Sequence, residues 1–227
     1  MTGLRFANGR PAPNLSMLID GEIKTIREVP KIVNHSINPS FETTDLRWIR
    51  ASGGENSAVT ETPHRGTQSG RVVFAAAATY KYLGQYVLSP GGYTYVKARL
   101  FFRNISGSTH GRMRIGWRDH ATTGTVRYSD LVPGVETNGE WTELYIEHAI
   151  PANSIYIPVI AYGTDSVDGF NSPANNEFHV DSMCVTLGMS PETTPDPVYF
   201  DGDFPSTSDH FFTWDGLPHQ SNSVKNP

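Results

Sequence analysis

The amino-acid sequence predicts an all-β protein, and three observations lead to this prediction. The 227 residues include 21 glycines and 16 prolines, whereas only 18% of them are charged. Several segments in the middle of the chain alternate apolar and polar side chains with a period of two. Turn-forming pairs such as Asn138-Gly139 and Asp168-Gly169 separate these segments at short intervals. Because no window combines a 3.6-residue apolar stripe with helix caps, a sandwich or barrel of short strands is expected.

The period-two alternation predicts five strands in the central part of the chain. In Arg112–Arg118, Met113, Ile115 and Trp117 share one face, and the arginines occupy the other. Successive side chains of a strand leave opposite faces, so the apolar face should be buried and the arginine face solvated. The predicted strands are Thr94–Phe102, Arg112–Arg118, Glu143–Ile150, Ile155–Tyr162 and Phe178–Leu187.

The two ends of the chain differ from this middle. Ser16–Ile19 and Glu22–Ile26 form a candidate hairpin around Asp20-Gly21, a pair that type I′ turns favour. A proline-rich stretch after Met189 leads to the aromatic-rich tail Tyr199–His219. The predicted organisation is an N-terminal docking arm (1–32), a central domain (33–190) and a C-terminal extension (191–227). Since a lone hairpin and an isolated aromatic tail cannot bury themselves, both are expected to dock onto neighbouring subunits.

Charge, cysteine content and hydropathy argue against several classes of protein. The net charge of −5 and the pI of about 5.9 are not those of a nucleic-acid-binding protein with a basic footprint. Cys184 is the single cysteine, so it forms neither a disulfide framework nor a four-ligand zinc site and should be a small buried apolar residue. No apolar run has membrane-spanning length, and Met1–Asn8 lacks the apolar region of a secretory signal. Synthesis in a cytosol, without a membrane partner, is therefore expected.

Motifs from Asn38 onward resemble the jelly-roll family of carbohydrate-binding modules. The Asn-Pro-Ser-Phe-Glu run of Asn38–Glu42 is similar to the first core strand of that family, and Trp48 follows it. The similarity covers about residues 33–190 and implies an antiparallel jelly-roll β-sandwich. Further matching elements follow in the order of the family: Gly66–Arg71, Ser89–Tyr95, Gly139–Thr142 and Phe178–Asp181.

The C-terminal tail resembles that of minor tail proteins of tailed phages that infect actinobacteria. The two motifs are Tyr-Phe-Asp-Gly-Asp at Tyr199–Asp203 and a Trp-x-Gly-x-Pro-His run within Phe212–His219. The combination implies a virion structural protein, a minor tail protein made in the host cytoplasm, that contributes to tail assembly and to adhesion to host cell-surface glycans. Its partners would then be other phage tail proteins, further copies of itself and cell-wall polysaccharide.

The resemblance to carbohydrate-binding modules also implies candidate site residues. Members of that family often hold a structural Ca²⁺ with the glutamate of the first motif and the aspartate of the last strand, which here are Glu42 and Asp181. Carboxylate oxygens suit calcium, although both residues can equally be ordinary carboxylates at a sheet edge. Sugar-binding members present several aromatic side chains on one surface, and the sequence does not say which tyrosines converge. The candidates are Tyr80, Tyr82, Tyr128 and Tyr162.

The sequence lacks four common catalytic or phosphate-binding motifs. There is no nucleophile elbow, His-Glu-x-x-His motif, Gly-rich phosphate loop or Cys–His arrangement. A glycosidase needs two carboxylates across a cleft, but Glu143 and Glu147 fall on one strand face with Tyr145. A protein that is not an enzyme is therefore expected.

Three alternatives to an adhesive minor tail protein remain. They are a purely structural tail or capsid decoration protein without glycan binding, a free bacterial carbohydrate-binding protein, and a glycan-degrading tail enzyme.

Overall fold

The computed structural model describes residues 15–19, 22–26, 31–37, 39–42, 48–119 and 124–200, together with 202–203, 205, 207, 211–215, 217–218 and 222–226 of the tail. Within these residues every regular element is a β-strand, and none belongs to a helix long and apolar enough to cross a membrane. The strands are β1 (Leu15–Ile19), β2 (Glu22–Ile26), β3 (Ile32–Ile37), β4 (Trp48–Arg50), β5 (Gly54–Val59), β6 (Ser69–Phe74), β7 (Ala78–Thr79), β8 (Tyr82–Leu88), β9 (Tyr95–Ser106), β10 (His110–Trp117), β11 (Arg127–Tyr128), β12 (Val135–Glu136), β13 (Thr142–Ala149), β14 (Tyr156–Thr164), β15 (Asn171–Ser172), β16 (Asn176–Gly188), β17 (Phe211–Trp214) and β18 (Asn222–Asn226).

Two antiparallel sheets form a sandwich. The first sheet has the strand order β11-β10-β14-β8-β4, with β12 also paired to β10, and the second has the order β13-β9-β16-β6-β5. Consecutive long strands alternate between the sheets, since β8, β10 and β14 belong to the first and β9, β13 and β16 to the second. This repeated crossing from one sheet to the other is the connectivity of a jelly roll. The all-β prediction is confirmed, and all five predicted central strands are present as β9, β10, β13, β14 and β16.

Apolar side chains from the inner faces of both sheets fill the core. The predicted alternation is confirmed in β10, where Met113 and Ile115 are fully buried. Trp117 is half-buried and packs against the edge of the core, with its ring stacked on that of His148 at 5.0 Å. Cys184 is buried, as expected, and its thiol contacts the Val198 carbonyl at 3.6 Å. The largest fully buried apolar side chains include Phe41, Phe74, Leu83, Leu100, Phe102, Leu144, Ile157 and Phe178.

The C-terminal residues pack against their own chain. Strand β17 pairs with β18, and β18 pairs with β3, which gives a separate three-stranded sheet. Tyr199 and Phe200 precede these strands and are buried, as is Val224 within β18. The expectation that the aromatic tail cannot be buried without a neighbouring subunit is wrong for Tyr199 and Phe200. Phe200 is held by its own chain, since its carbonyl accepts from Asn34 of β3 and its ring lies 5.8 Å from that of Phe212.

The N-terminal hairpin is also present. Strands β1 and β2 pair antiparallel with Leu15 opposite Ile26 and Ile19 opposite Glu22, as the sequence predicts. The turn pair Asp20-Gly21 lies outside the described residues. The boundaries of the arm, the central domain and the extension stay predictions.

Candidate functional site

The outer face of the first sheet carries a continuous group of tyrosine and arginine side chains. Residues directly opposite each other on paired strands share a face of the sheet. The register places Tyr162 between Arg112 on one side and Tyr82 on the other, and it places Gly116 opposite Tyr128. We call this surface the tyrosine–arginine face; it comprises Tyr80, Tyr82, Tyr86, Arg112, Arg114, Arg118, Tyr128, Tyr156, Tyr162 and Phe170.

The four tyrosines that the sequence analysis selected meet on this face. The guanidinium carbon of Arg114 lies 3.9 Å from the ring centroid of Tyr128, 5.0 Å from that of Tyr80 and 5.2 Å from that of Tyr162. The Tyr82 ring completes the group at 5.9 Å from Tyr162. Arg114 is therefore the centre of an aromatic cluster whose members come from three separate stretches of the chain.

The exposure of these tyrosines divides them into two roles. Tyr80 and Tyr128 are 43% and 39% exposed, so a ligand can lie on their rings. Tyr162 is only 1% exposed. The prediction that Tyr162 is a stacking platform for a sugar is therefore wrong, because neighbouring side chains cover its ring. Tyr162 instead packs beneath the exposed Tyr80. Tyr82 is half-buried between these two extremes.

Local backbone features place the two exposed rings. Tyr80 follows β7 in the left-handed region, with φ of 59°, which turns the chain sharply before β8 begins. Gly116 of β10 lies beneath the Tyr128 ring, and a Cβ at this position would be 2.8 Å from the ring carbon Cδ1. The glycine therefore lets the tyrosine lie close to the sheet, beside Arg114.

Arg112 is buried, which corrects the expectation that the arginine face of this strand is exposed to water. Its Nε donates to the Val132 carbonyl at 2.9 Å and its Nη1 to the Gly169 carbonyl at 2.6 Å. The Phe170 ring covers it, with its centroid 5.3 Å from the guanidinium carbon. Two loops thus bury the arginine, which is 4% exposed. Phe170 itself is 43% exposed and contacts Tyr80, yet as a loop residue it shows no periodic signal in the sequence.

Arg114 and Tyr162 bury polar groups beside each other. The Nε of Arg114 and the hydroxyl of Tyr162 are both buried, and the polar group next to the Tyr162 hydroxyl is the Arg114 guanidinium. Burial raises the pKa of Tyr162 and Tyr128, and it raises that of Tyr82 to about 12, so these phenols are neutral at physiological pH. The face therefore combines cationic guanidinium groups with neutral hydroxyls that can both donate and accept hydrogen bonds.

The face continues toward the end of β10. The rings of Tyr86 and Tyr156 lie 4.4 Å apart, and the guanidinium carbon of Arg118 lies 3.9 Å from the Tyr156 centroid. Arg118 also lines a cleft of about 420 Å³, which it shares with Trp117, Asp119, Thr125, Arg127, Pro151, Asn153 and Ser154.

The outer face of the second sheet is different, because three of its cations are paired with carboxylates, whereas Arg103 binds the Gly139 carbonyl and the Thr62 hydroxyl. Arg99 contacts Glu143 at 3.1 Å and lies 5.8 Å from the centroid of the exposed Tyr145 ring. Glu143 and Glu147 are both exposed on the same strand face, as predicted, so they do not oppose each other across a cleft. Two further pairs on this side are Arg71–Glu177 at 2.7 Å and Lys97–Asp196 at 2.8 Å.

Glu42 and Asp181, the predicted calcium ligands, bind the same loop. The Asp181 Oδ2 accepts hydrogen bonds from the backbone N–H groups of His64 at 2.8 Å and Arg65 at 3.0 Å. The Glu42 Oε1 accepts one from the N–H of Thr67 at 2.8 Å. The structure thus brings the first motif and the last long strand together at residues 64–67.

The surroundings of these carboxylates suit a cation. Asp181 is fully buried, and no salt bridge to it is found in the described part of the chain. Burial raises its pKa to about 8, and the nearby Glu42 charge adds to this. The adjacent residues Phe41 and Ser182 adopt left-handed φ values of 60° and 53°. Among the described residues, no three His, Cys, Asp or Glu side chains lie close enough together to hold one metal ion. A hard cation at this site would therefore draw its further ligands from backbone carbonyls and water.

Comparison with known proteins gives a result at the level of the fold. No protein-family model and no curated protein matches the sequence. Among solved structures, the CBM22-1 xylan-binding domain of Paenibacillus barcinonensis Xyn10C is similar with a TM-score of 0.52 at 15% identity, over 69% of this chain and 97% of that domain. The fold is a jelly roll similar to that of carbohydrate-binding modules.

Two other structures share this jelly roll. The C-terminal family 22 carbohydrate binding module of Clostridium thermocellum Xyn10B has a TM-score of 0.51 at 20% identity, over 74% of this chain and 96% of that one. The enzymatically active domain of bacteriophage CBA120 tailspike protein 4 has a TM-score of 0.51 at 12% identity, over 68% of this chain but only 21% of the tailspike chain. The predicted jelly-roll class is confirmed, whereas the phage origin stays a prediction.

Proposed function

We propose that this jelly-roll protein binds a glycan on its tyrosine–arginine face and is not an enzyme. The observation that carries the proposal is the convergence of three exposed rings on one sheet, with Tyr80 and Tyr128 beside Arg114 and Phe170 beside Arg112. Binding sites for small ligands combine aromatic walls with a few well-placed polar groups, and sugar rings present both apolar C–H faces and hydroxyls. Similar jelly rolls include a domain that is described as xylan-binding.

Two properties of the face favour sugar binding over simple surface decoration. Tyrosine offers a large rigid contact area with only two side-chain torsions, so little conformational entropy is lost when a ligand orders it. The paired strands hold Tyr128 and Tyr162 on either side of Arg114, which fixes the spacing between platform and polar groups. A preformed arrangement of this kind lowers the free-energy cost of binding.

We further propose that the protein acts in a bacteriophage virion as a minor tail protein, with other tail proteins and further copies of itself as partners. The tail motifs at Tyr199–Asp203 and Phe212–His219 support this, together with the fold-level likeness to a region of a phage tailspike. In electron micrographs of purified virions of the phage that encodes this protein, antibodies against it should label the tail. Labelling of the capsid would instead support a decoration protein, and absence from purified virions would contradict the proposal.

The glycan-binding proposal predicts that loss of an exposed ring weakens binding. Tyr128→Ala and Tyr80→Ala should each weaken binding to a recognised polysaccharide by about tenfold, equivalent to about 1.4 kcal/mol, because each removes one stacking surface. The matched control is Tyr145→Ala, which removes an exposed tyrosine that also lies beside an arginine, but on the second sheet. Affinity electrophoresis through polysaccharide-containing gels measures the effect.

Two outcomes would contradict this assignment. Equal weakening by Tyr145→Ala would show that the loss of binding is not specific to the tyrosine–arginine face. Failure of the wild-type protein to bind any member of a broad glycan array would favour the purely structural alternative.

We also propose that Glu42 and Asp181 hold a structural Ca²⁺, which when bound would offset the negative charge of the half-buried Glu42 and the buried Asp181. The two residues lie on the first motif and on β16, so an ion between them would stabilise their contact with residues 64–67. Calcium at about 100 times its Kd should stabilise the fold by about 2.7 kcal/mol. For a chain of this size that corresponds to an increase in Tm of roughly 5–10 °C over the protein in EDTA.

Scanning calorimetry with Ca²⁺ and with EDTA tests the calcium site. Glu42→Gln and Asp181→Asn should each remove most of the calcium-dependent increase in Tm. Glu55→Gln, an exposed carboxylate of β5, is the matched control and should retain the full increase. Identical Tm values for the wild-type protein in Ca²⁺ and in EDTA would refute the calcium site.

A further inference from the structure

We propose that the glycan bound by the tyrosine–arginine face is acidic, with a carboxylate or phosphate on its repeating unit that pairs with Arg114. This inference rests on the proposed glycan-binding function and specifies the class of polysaccharide. It follows from three properties of the described residues: the distribution of unpaired positive charge, the geometry of the Arg114 guanidinium group and the exposure of the surrounding rings.

Positive charge is distributed unevenly between the two sheets. On the second sheet, Arg71, Lys97 and Arg99 each have a carboxylate within 2.7–3.1 Å. Arg103 is the exception among the cations of β6 and β9, and its guanidinium group binds a carbonyl and a hydroxyl away from exposed tyrosines. On the first sheet, neither Arg112 nor Arg114 has a carboxylate within salt-bridge distance in the described part of the chain. The protein carries 23 acidic residues and a net charge of −5, so a shortage of carboxylates does not explain the difference.

The environment of Arg112 adds to the positive potential of this face. Its guanidinium group is bound to two backbone carbonyls, which solvate the charge without cancelling it. The nearest acidic influence on it is Asp168, whose charge opposes the lowering of the Arg112 pKa by burial. Because the group is buried under Phe170, its field is screened by water less than that of an exposed arginine. An anion on the face would experience this charge in addition to that of Arg114.

The geometry of Arg114 matches a planar or tetrahedral anion. Tyrosine rings stack on the faces of the guanidinium group, with Tyr128 at 3.9 Å, and stacking of this kind leaves the in-plane N–H groups unused. Carboxylates and phosphates accept two such N–H groups in parallel. The Nε of Arg114 is buried beside the Tyr162 hydroxyl, so a ligand would pair with the Nη groups at the end of the side chain. Arg114 is half-buried, which leaves part of its side chain accessible.

The exposed rings explain why the ligand would be a polysaccharide rather than a free anion. Tyr80, Tyr128 and Phe170 surround the arginines and are 39–43% exposed, which provides apolar area on both sides of the charge. A small anion would use the guanidinium alone and leave these rings in water. A sugar chain with charged substituents uses both, because its rings stack while its anionic groups pair.

The test compares soluble polysaccharides that differ in charge. The wild-type protein is titrated calorimetrically with polygalacturonate, with its neutral methyl ester, with a glycerol-phosphate teichoic acid and with neutral xylan, each at low and high NaCl. We expect binding to polygalacturonate or to the teichoic acid at least tenfold tighter than to either neutral polymer, with a marked loss at high salt. The polymer that binds more tightly distinguishes carboxylate from phosphate as the recognised group.

Variants locate the effect on Arg114. Arg114→Gln should abolish the preference for the acidic polymer, and Arg114→Lys should restore only part of it, since lysine keeps the charge but loses the paired N–H groups. Arg99→Gln is the matched control, because it removes an arginine that also lies beside a tyrosine, on the second sheet. Thermal unfolding verifies that all three variants are folded.

The possible failures are distinguishable. Equal, salt-independent binding to polygalacturonate and its methyl ester would overturn the acidic-ligand inference while the proposed glycan binding stands. A preference for acidic polymers that survives Arg114→Gln would overturn the assignment to this face. Absence of binding to all four polymers would overturn the inference, and the glycan array described above would then decide whether glycan binding itself fails.

Discussion

Replacement of Asn34 by alanine should lower the free energy of unfolding by about 3–5 kcal/mol, because this side chain joins three parts of the chain. Asn34 is fully buried on β3. Its Nδ2 donates to the carbonyls of Met183 and Phe200, both at 3.1 Å. Its Oδ1 accepts from the N–H groups of Ser36 at 3.1 Å and Val185 at 2.9 Å. Alanine would leave several of these backbone groups buried without a partner, at about 1–3 kcal/mol each.

Urea denaturation of the wild-type protein and the Asn34→Ala variant measures this loss. Asn153→Ala provides the control, because Asn153 is exposed in the loop before β14 and should change stability by less than about 0.5 kcal/mol. A loss below about 1 kcal/mol for Asn34→Ala would mean that water replaces the amide, and the asparagine would then not be a structural link between β3, β16 and the tail.

Phe41→Ala should have an effect of similar size, about 3–5 kcal/mol, because it removes a large ring from the centre of the core. Phe41 is completely buried and its ring stacks on that of Trp48, with 4.1 Å between centroids. Gly70 of β6 packs so closely against the ring that a Cβ there would lie 1.8 Å from the Phe41 Cζ. The surrounding backbone therefore cannot easily close the cavity. Since domains are stable by only about 5–15 kcal/mol, the variant should be close to unfolding.

The matched comparison for this variant is Phe170→Ala. Phe170 is a phenylalanine of the same size that is 43% exposed on the tyrosine–arginine face, so its loss should have a much smaller effect on unfolding. A loss for Phe41→Ala as small as that for Phe170→Ala would show that the cavity at Phe41 collapses, and that the aromatic residue of the first motif is not essential for the core.

The sequence predicts strands well where one face is apolar and the other polar. The alternation in β10 and β13 reflects this condition directly, and both strands are present. Strand β8 was not predicted, because Gln85 interrupts its apolar face. In the structure the Gln85 side chain binds the backbone of Ile37 in the way a neighbouring strand would. Its Oε1 accepts from the Ile37 N–H at 2.6 Å, and its Nε2 donates to the Ile37 carbonyl at 2.5 Å. Such a substitution of a side chain for a backbone partner has no periodic signature.

The candidate site was predictable in part. Aromatic composition and the family resemblance selected Tyr80 and Tyr128, which are exposed together. The contribution of Arg114 depends on which strands pair and in which register, and Phe170 reaches the site from a loop. These long-range relations are set by packing of the whole sandwich, so local sequence patterns do not reveal them. For the same reason, the sequence could not show that Tyr162 is covered.

The pairing of β3 with β18 determines when the molecule can finish folding. Asn222 lies opposite Ile37. Strand β3, which is made early, can therefore pair with β18 only after residue 222 has left the ribosome. Contacts between such distant positions form slowly, because a long loop must first be closed against its entropy. Until then, the backbone groups of β3 that later pair with β18 remain available to another strand. Newly made chains at high concentration therefore face a kinetic competition between closing this sheet and exchanging tail strands with one another.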